Sequence, residues 1–168
     1  GGALGLSGAA MQGYLRNPLA EPGLVGISGM AALGAVLAIH TGLSAAFAMG
    51  LPLAALGGAA LGVALLLWLA GPGGASLVLI LAGIAVSAMA GALTSLVLNL
   101  SPNPFAASEI IYWMMGSLAD RSMLHVWLAL PFVAVGWGMI AVTARGLDAL
   151  TLGEDAAAAL GINLALTR

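Results

Sequence analysis

Long apolar runs, broken by short polar or Gly/Pro-rich stretches, set the order of this chain. Gly1 to about Leu15 is apolar and rich in Gly and Ala. It is shorter than the roughly 20 residues a crossing helix needs, so it reads as a partial span. Further apolar runs cover 24–41, 43–70, 77–98 and 124–144, and each predicts a membrane-spanning helix. None alternates apolar and polar over about ten residues, as outer-membrane strands do. The pattern predicts an all-α fold, a polytopic membrane helical bundle.

The breaks are as regular as the runs. Arg16 to Ser28 is the most polar segment of the first hundred residues, and it holds Pro18 and Pro22. Each proline removes a backbone donor and clashes with the preceding turn, so no regular helix crosses this segment. Asn17 and Glu21 precede prolines and are pushed towards extended geometry. Gly71-Pro72-Gly73-Gly74 is an uncharged stop. The residues from Asn99 to Arg121 combine a loop at Ser101-Pro102-Asn103-Pro104 with a short helix over 106–117, for which Ser108 is a candidate N-cap and Gly116 an end signal. Tyr112 and Trp113 suit the headgroup level. Past Ala144, Arg145 to Asp148 leaves the membrane, and the segment 148–162 holds a short helix between Gly153 and Gly161. Glu154 and Asp155 occupy its first turn, where the helix dipole favours acids. Inside the spans, Gly58 with Gly62, and Gly83 with Ser87 and Gly91, form small-residue faces suited to close helix packing in lipid; Gly1 and Gly5 share that spacing.

Composition confirms the class and removes others. Hydrophobic residues make up 62% of the 168 and charged residues 6%. Soluble domains average about 25% charged, so this chain could not cover a water-facing surface. There is no lysine and the net charge is −2, which excludes the basic stripe of a nucleic-acid binder. There is no cysteine, hence no disulfide frame or thiolate site. His40 and His125 are isolated, and no His/Asp/Glu cluster has metal-ligand spacing. No phosphate-binding Walker loop is present, so the chain carries no nucleotide-hydrolysing site of that kind. No cofactor is expected. If loops alternate sides, Arg16, Arg145 and Arg168 share one side and Arg121 lies on the other; the positive-inside rule makes the first side cytoplasmic. The absence of an initiating Met or a signal-peptide pattern leads to the expectation that the chain is a fragment.

Gly8-Ala9-Ala10-Met11-Gln12, followed by Arg16-Asn17-Pro18-Leu19-Ala20-Glu21-Pro22-Gly23-Leu24-Val25-Gly26-Ile27-Ser28, resembles the signature of the membrane subunits of ABC importers for iron-siderophores, haem and cobalamin, the FecCD-type permeases. Two later stretches agree. Tyr112-Trp113-Met114-Met115-Gly116-Ser117-Leu118 is similar to the family's extracytoplasmic half-helix. Leu150 to Ile162 is similar to its cytoplasmic coupling segment, which docks in a cleft on the ATPase subunit. The resemblance implies part of a ten-span type II importer permease, from the second span to the segment after the sixth. The first span and the last four would lie outside the chain.

The resemblance also implies roles. Leu152, Gly153, Glu154, Asp155, Ala157, Leu160 and Gly161 would couple to the ATPase. Arg16, Asn17, Pro18, Leu19, Glu21, Pro22 and Gly26 would form the cytoplasmic family motif. Ser76 would sit near the cytoplasmic gate, and Trp113, Met114 and Met115 near the pathway mouth. No catalytic residue or metal ligand is implied. The implied partners are a second permease copy (a homodimer or a paired heterodimer), two ATP-binding subunits, a periplasmic or lipid-anchored binding protein, and membrane lipid. The expected location is the cytoplasmic (inner) membrane. The cargo, a ferric siderophore, haem or cobalamin, would cross by alternating access. The rivals are an ion-coupled secondary transporter, which needs intramembrane ionisable residues, and a non-transport membrane scaffold, which would leave the acidic helix without a partner.

Overall fold

In the computed structural model, residues 1–71, 76–101, 104–116 and 122–162 are described. Eight α-helices account for most of them, and no strand occurs among the described residues. They are α1 (Gly2–Leu15), α2 (Ile27–His40), α3 (Leu43–Ala46), α4 (Gly50–Ala70), α5 (Ser76–Asn99), α6 (Pro104–Met115), α7 (Met123–Thr151) and α8 (Glu154–Ala159), with a 3-10 turn at Pro22–Val25. Three of these, α4, α5 and α7, are long and apolar enough to cross a membrane. The chain divides into two compact units, Gly1–Pro22 with Leu118–Arg168, and Gly23–Ser117.

The second unit is built on α2. Met30, Leu33, Ala35, Val36 and Ala38 are all buried, so apolar residues are needed around most of its circumference. It packs against α4, α5 and α6. Small residues set the α2–α4 distance. A Cβ on Gly34 would run into the Ala54 carbonyl, one on Gly58 into the Met30 carbonyl, and one on Gly62 would stand 2.9 Å from the Met30 Cβ. Without a hydrophobic drive between helices in lipid, such close backbone packing is a main source of association. Met30, Leu33, Val86 and Ala90 join α2 and α5 in one apolar cluster, with Leu65 of α4 against it. The small face of α5 is used at Gly83, whereas Gly91 has open space around its Cβ position, and so do Gly1, just before α1, and Gly5 within it.

Several helix boundaries differ from the apolar runs. The run 24–41 yields a 14-residue helix, about 21 Å long, against a hydrocarbon core of roughly 30 Å. The run 43–70 splits, because Phe47 is extended and closes α3, and α4 restarts from Met49. Pro52 then falls in the first turn of α4, where its missing N–H costs no helical bond. Helix α6 begins at Pro104, with proline in its favoured first position, so Ser108 lies inside the helix rather than capping it. Ile110 of α6 is fully buried. Pro72 to Ala75, Pro102-Asn103, and Ser117 to Arg121 lie outside the described residues, and Asp120 and Arg121 fall among them.

The first unit pairs α1 with α7. The two helices run parallel. The Cβ position of Gly2 lies 3.7 Å from Trp137 Cζ2, and that of Gly13 lies 3.8 Å from the Leu147 carbonyl and 3.9 Å from Thr151 Cγ2. Helix α7 does not stop at Ala144 but continues to Thr151 through Pro131 and the polar Arg145-Gly146-Leu147-Asp148. The extension is held by packing, since Gly146, Ala149 and Leu150 are buried. At its other end His125 Nδ1 accepts a hydrogen bond from the Ser122 N–H at 3.3 Å, a capping role for a histidine that looks isolated in sequence.

Candidate functional site

The first unit carries the feature that stands out chemically, a short helix presented on a built base. Helix α8 is six residues long and is entered through Gly153 at φ 108, ψ 157. That backbone region is essentially open to glycine alone. Gly161, at φ 78, follows its C-cap Leu160. The Gly153 N–H donates to the Leu150 carbonyl at 3.0 Å, and the Gly153 carbonyl accepts from the Ala157 N–H at 3.0 Å. The end of α7 and the start of α8 are thus joined by one hydrogen-bonded hinge.

The base beneath α8 is apolar. Ala149, Leu150 and Ala157 form a buried cluster, and Tyr14 of α1 and Ile162 pack against it. Ala157 is completely buried. Displacing α8 therefore loads the ends of both α1 and α7. The outward side differs in character. Asp155, Ala158 and Ala159 are exposed, as is Gly161. Leu152 and Leu160, 69% and 64% exposed, stand at the two ends of the helix as unpartnered apolar side chains. Of the residues expected to couple, Leu152, Asp155, Leu160 and Gly161 face outward, Gly153 is the half-buried hinge, and Ala157 belongs to the base. The Glu154 side chain lies outside the described part.

The proline-punctuated motif folds as a tight cap on α1. Arg16 takes a left-handed conformation (φ 49, ψ 40), the one non-glycine positive φ among the described residues. This lets the Arg16 and Asn17 N–H groups both reach the Gln12 carbonyl. Asn17 Oδ1 accepts from the Leu19 N–H at 2.9 Å, a side chain mimicking a backbone turn. The Asn17 carbonyl accepts from the Ala20 N–H at 3.0 Å, and Gln12 Nε2 donates to the Ala20 carbonyl at 3.4 Å. Ala20 is buried, while Leu19 and Glu21 are exposed. Pro22 Cδ lies 3.8 Å from the Cβ position of Gly8. Gly26, in the other unit, is the left-handed N-cap of α2.

Arg16 links this cap to the hinge. An ideal Cβ on Gly153 would stand 3.8 Å from Arg16 Nη1. A cleft of about 600 Å³ opens between α1 and α7, with Arg16, Asn17, Gln12, Asp148 and Thr151 among its polar lining and Leu6, Ala9 and Ile140 among its apolar lining. Sequence reading missed Tyr14, Asp148 and Thr151 as parts of this neighbourhood. The usable signal was the Gly13 beside Tyr14, a small residue that lets α7 approach.

The residues expected at the pathway or gate belong to the other unit. Ser76 is the first residue of α5 and half-buried. Trp113 of α6 is half-buried, and Met114 and Met115 are exposed. No group of three metal-capable side chains occurs among the described residues.

Comparison with known proteins gives one answer. A family model described as the FecCD transport family matches residues 1–168. The chain is 36% identical over its whole length to the "Cobalamin import system permease protein BtuC" of Halobacterium salinarum, covering 45% of that protein. It is 36% identical to the "Vitamin B12 import system permease protein BtuC" of Salmonella typhi, again over its whole length and 51% of that protein. The "Uncharacterized ABC transporter permease protein YvrB" of Bacillus subtilis is 35% identical over 98% of the chain and 47% of its own length. A solved inward-facing conformation of a metal-chelate type ABC transporter superposes with a TM-score of 0.86 at 30% identity, over 98% of this chain and 52% of the other. The chain spans about half the length of the relatives it matches.

Proposed function

Since the chain belongs to the FecCD transport family, we propose that it supplies part of the membrane permease of a binding-protein-dependent ABC importer. It does no chemistry on its cargo. ATP is hydrolysed on a separate subunit, and the cargo crosses by alternating access at the interface of two permease copies. A periplasmic or lipid-anchored binding protein delivers it. The names of the relatives favour cobalamin as cargo, with ferric siderophores and haem as the other members of the class.

The observation that carries the coupling part is α8. It exposes Leu152 and Leu160 outward and sinks Ala157 into a base shared with α1 and the end of α7. An exposed helix so short gains little from its own hydrogen bonds. With a partner on its outward face, it becomes a rigid knob that passes movement to two membrane helices at once. The composition of the long helices argues against ion coupling. Within α4 and α5 there is no ionisable residue, and in α7 only His125, Arg145 and Asp148, all towards its ends. A proton- or ion-coupled carrier needs such groups inside the membrane.

The test is uptake of radiolabelled cobalamin into proteoliposomes holding the assembled permease and ATPase, with binding protein and ATP supplied on opposite sides. ATP-dependent accumulation supports the reading. Accumulation driven by an ion gradient without ATP would replace it with a secondary carrier.

A further inference from the structure

We propose that Arg16 is the positioning residue of the coupling hinge, acting as the cation that neutralises the joined ends of α1 and α7; this rests on the coupling reading of α8. Parallel packing brings two helix C-termini side by side, Arg16 capping one and Gly153 following the other. Each C-terminus carries about half a negative charge from the aligned peptide dipoles of its helix. Asp148, in the last turn of α7, adds a full negative charge, and that turn contains no basic residue. Arg145, three residues before Asp148 on α7 itself, is not among the residues lining the cleft. Arg16 lines the same cleft as Asp148 and Thr151, and its Nη1 stands 3.8 Å from the Gly153 Cβ position. The left-handed backbone at Arg16 fits this placement. It is a conformation that most side chains other than glycine, asparagine and aspartate avoid, and here it accompanies the capping of the Gln12 carbonyl by the Arg16 and Asn17 N–H groups.

The consequence is a clamp. Without the cation, the last turn of α7 and the Gly153 hinge would repel the end of α1 and fray. Helix α8 would then yield under load instead of transmitting it. A cation at an exposed helix end shifts a local equilibrium by about two- to fivefold, and added salt screens the effect.

The test uses the full permease assembled with its ATP-binding subunit. Millisecond hydrogen exchange is followed at the Gly153 and Ala157 amides in the wild type, Arg16→Gln and Arg16→Lys. In Arg16→Gln, exchange there should rise about two- to fivefold. It should stay near wild type in Arg16→Lys, and transport per ATP hydrolysed should fall in Arg16→Gln alone. Raising salt from about 0.02 M to about 1 M should bring the wild type towards Arg16→Gln and leave that variant unmoved. The Met30 amide, bonded to the Gly26 carbonyl in the other unit, reports whether the fold is intact. Equal exchange at Gly153 in wild type and Arg16→Gln, or a wild type indifferent to salt, would overturn the proposal. Should exchange rise as expected while transport per ATP stays unchanged in both Arg16→Gln and Gly153→Pro, the clamp stands and the coupling reading falls. The salt series on the wild type decides the matter even if Arg16→Gln proves poorly folded.

Discussion

Gly26 and Gly83 face one another across a contact that leaves no room for a side chain on either. A Cβ on Gly26 would lie 2.7 Å from the Ser87 backbone nitrogen and 3.0 Å from the Gly83 carbonyl, and one on Gly83 would lie 2.7 Å from the Leu24 carbonyl. All three of these neighbouring atoms are backbone and cannot swing aside. The contact pins the entry of α2 onto α5, which explains a glycine at the end of the Arg16–Gly26 motif. Gly83→Ala should destabilise the detergent-purified permease by about 1–3 kcal/mol, the usual cost of overpacking. Gly26→Ala should cost more, because its left-handed backbone (φ 77) adds roughly 1–2 kcal/mol for an L side chain. Gly91→Ala, with open space around it, should be neutral or slightly stabilising. Thermal unfolding of the three variants checks the order, and a Gly91→Ala as damaging as Gly83→Ala would refute the packing account.

That contact shows what sequence could and could not supply. Spacing alone marked Gly83, Ser87 and Gly91 as one small face of α5, and the hydropathy runs located the long helices. Spacing could not say which glycine a neighbour approaches, because that depends on where the 3-10 turn before α2 arrives. Helix ends were blurred for a related reason. Arg145 and Asp148 look like an exit from the membrane, yet burial of Gly146, Ala149 and Leu150 keeps the helix going to Thr151. For the candidate site, the sequence offers a list of residues but no sides. Ala157 and Ala158 are the same residue type in one alanine run, and only the cluster with Tyr14 separates base from outward face.

The difference between those two alanines can be measured. Ala157 is fully buried and Ala158 exposed. Ala157→Leu forces added methylenes into the cluster of Ala149, Leu150 and Tyr14 and should cost about 1–3 kcal/mol. Ala158→Leu should leave stability within about 0.5 kcal/mol, as most surface changes do. Unfolding midpoints in detergent decide it. Equal loss in both would mean that α8 does not rest on its base.

Leu152 and Leu160 test the outward face. Both are largely exposed, and neither belongs to the cluster beneath α8. Leu152→Asp and Leu160→Asp should each leave the thermal stability of the permease alone close to wild type. If the face docks in a cleft of the ATPase, each desolvated charge should weaken that association by at least tenfold, since truncating or charging a buried interface anchor commonly costs 2 kcal/mol or more. Co-purification and a titration of ATPase onto reconstituted permease give the numbers. Undiminished binding in the double variant would remove α8 from the interface.

Gly153 makes the sharpest demand on the coupling reading. Its φ of 108 and ψ of 157 suit glycine alone, its N–H bonds the Leu150 carbonyl, and its carbonyl receives the Ala157 N–H. Proline fixes φ near −65° and has no N–H, so Gly153→Pro breaks the hinge geometry and one of its two bonds together. Alanine keeps both bonds but must be forced into the strained region, at a cost on the order of 1–3 kcal/mol. The expected series is therefore graded. Transport per ATP hydrolysed should fall moderately in Gly153→Ala and at least tenfold in Gly153→Pro, while ATP hydrolysis itself persists. An overall loss of folding would abolish hydrolysis stimulation and uptake alike, whereas a broken linkage lowers uptake alone. Gly153→Pro with uptake and hydrolysis both at wild-type levels would show that the segment after α7 carries no load between the subunits.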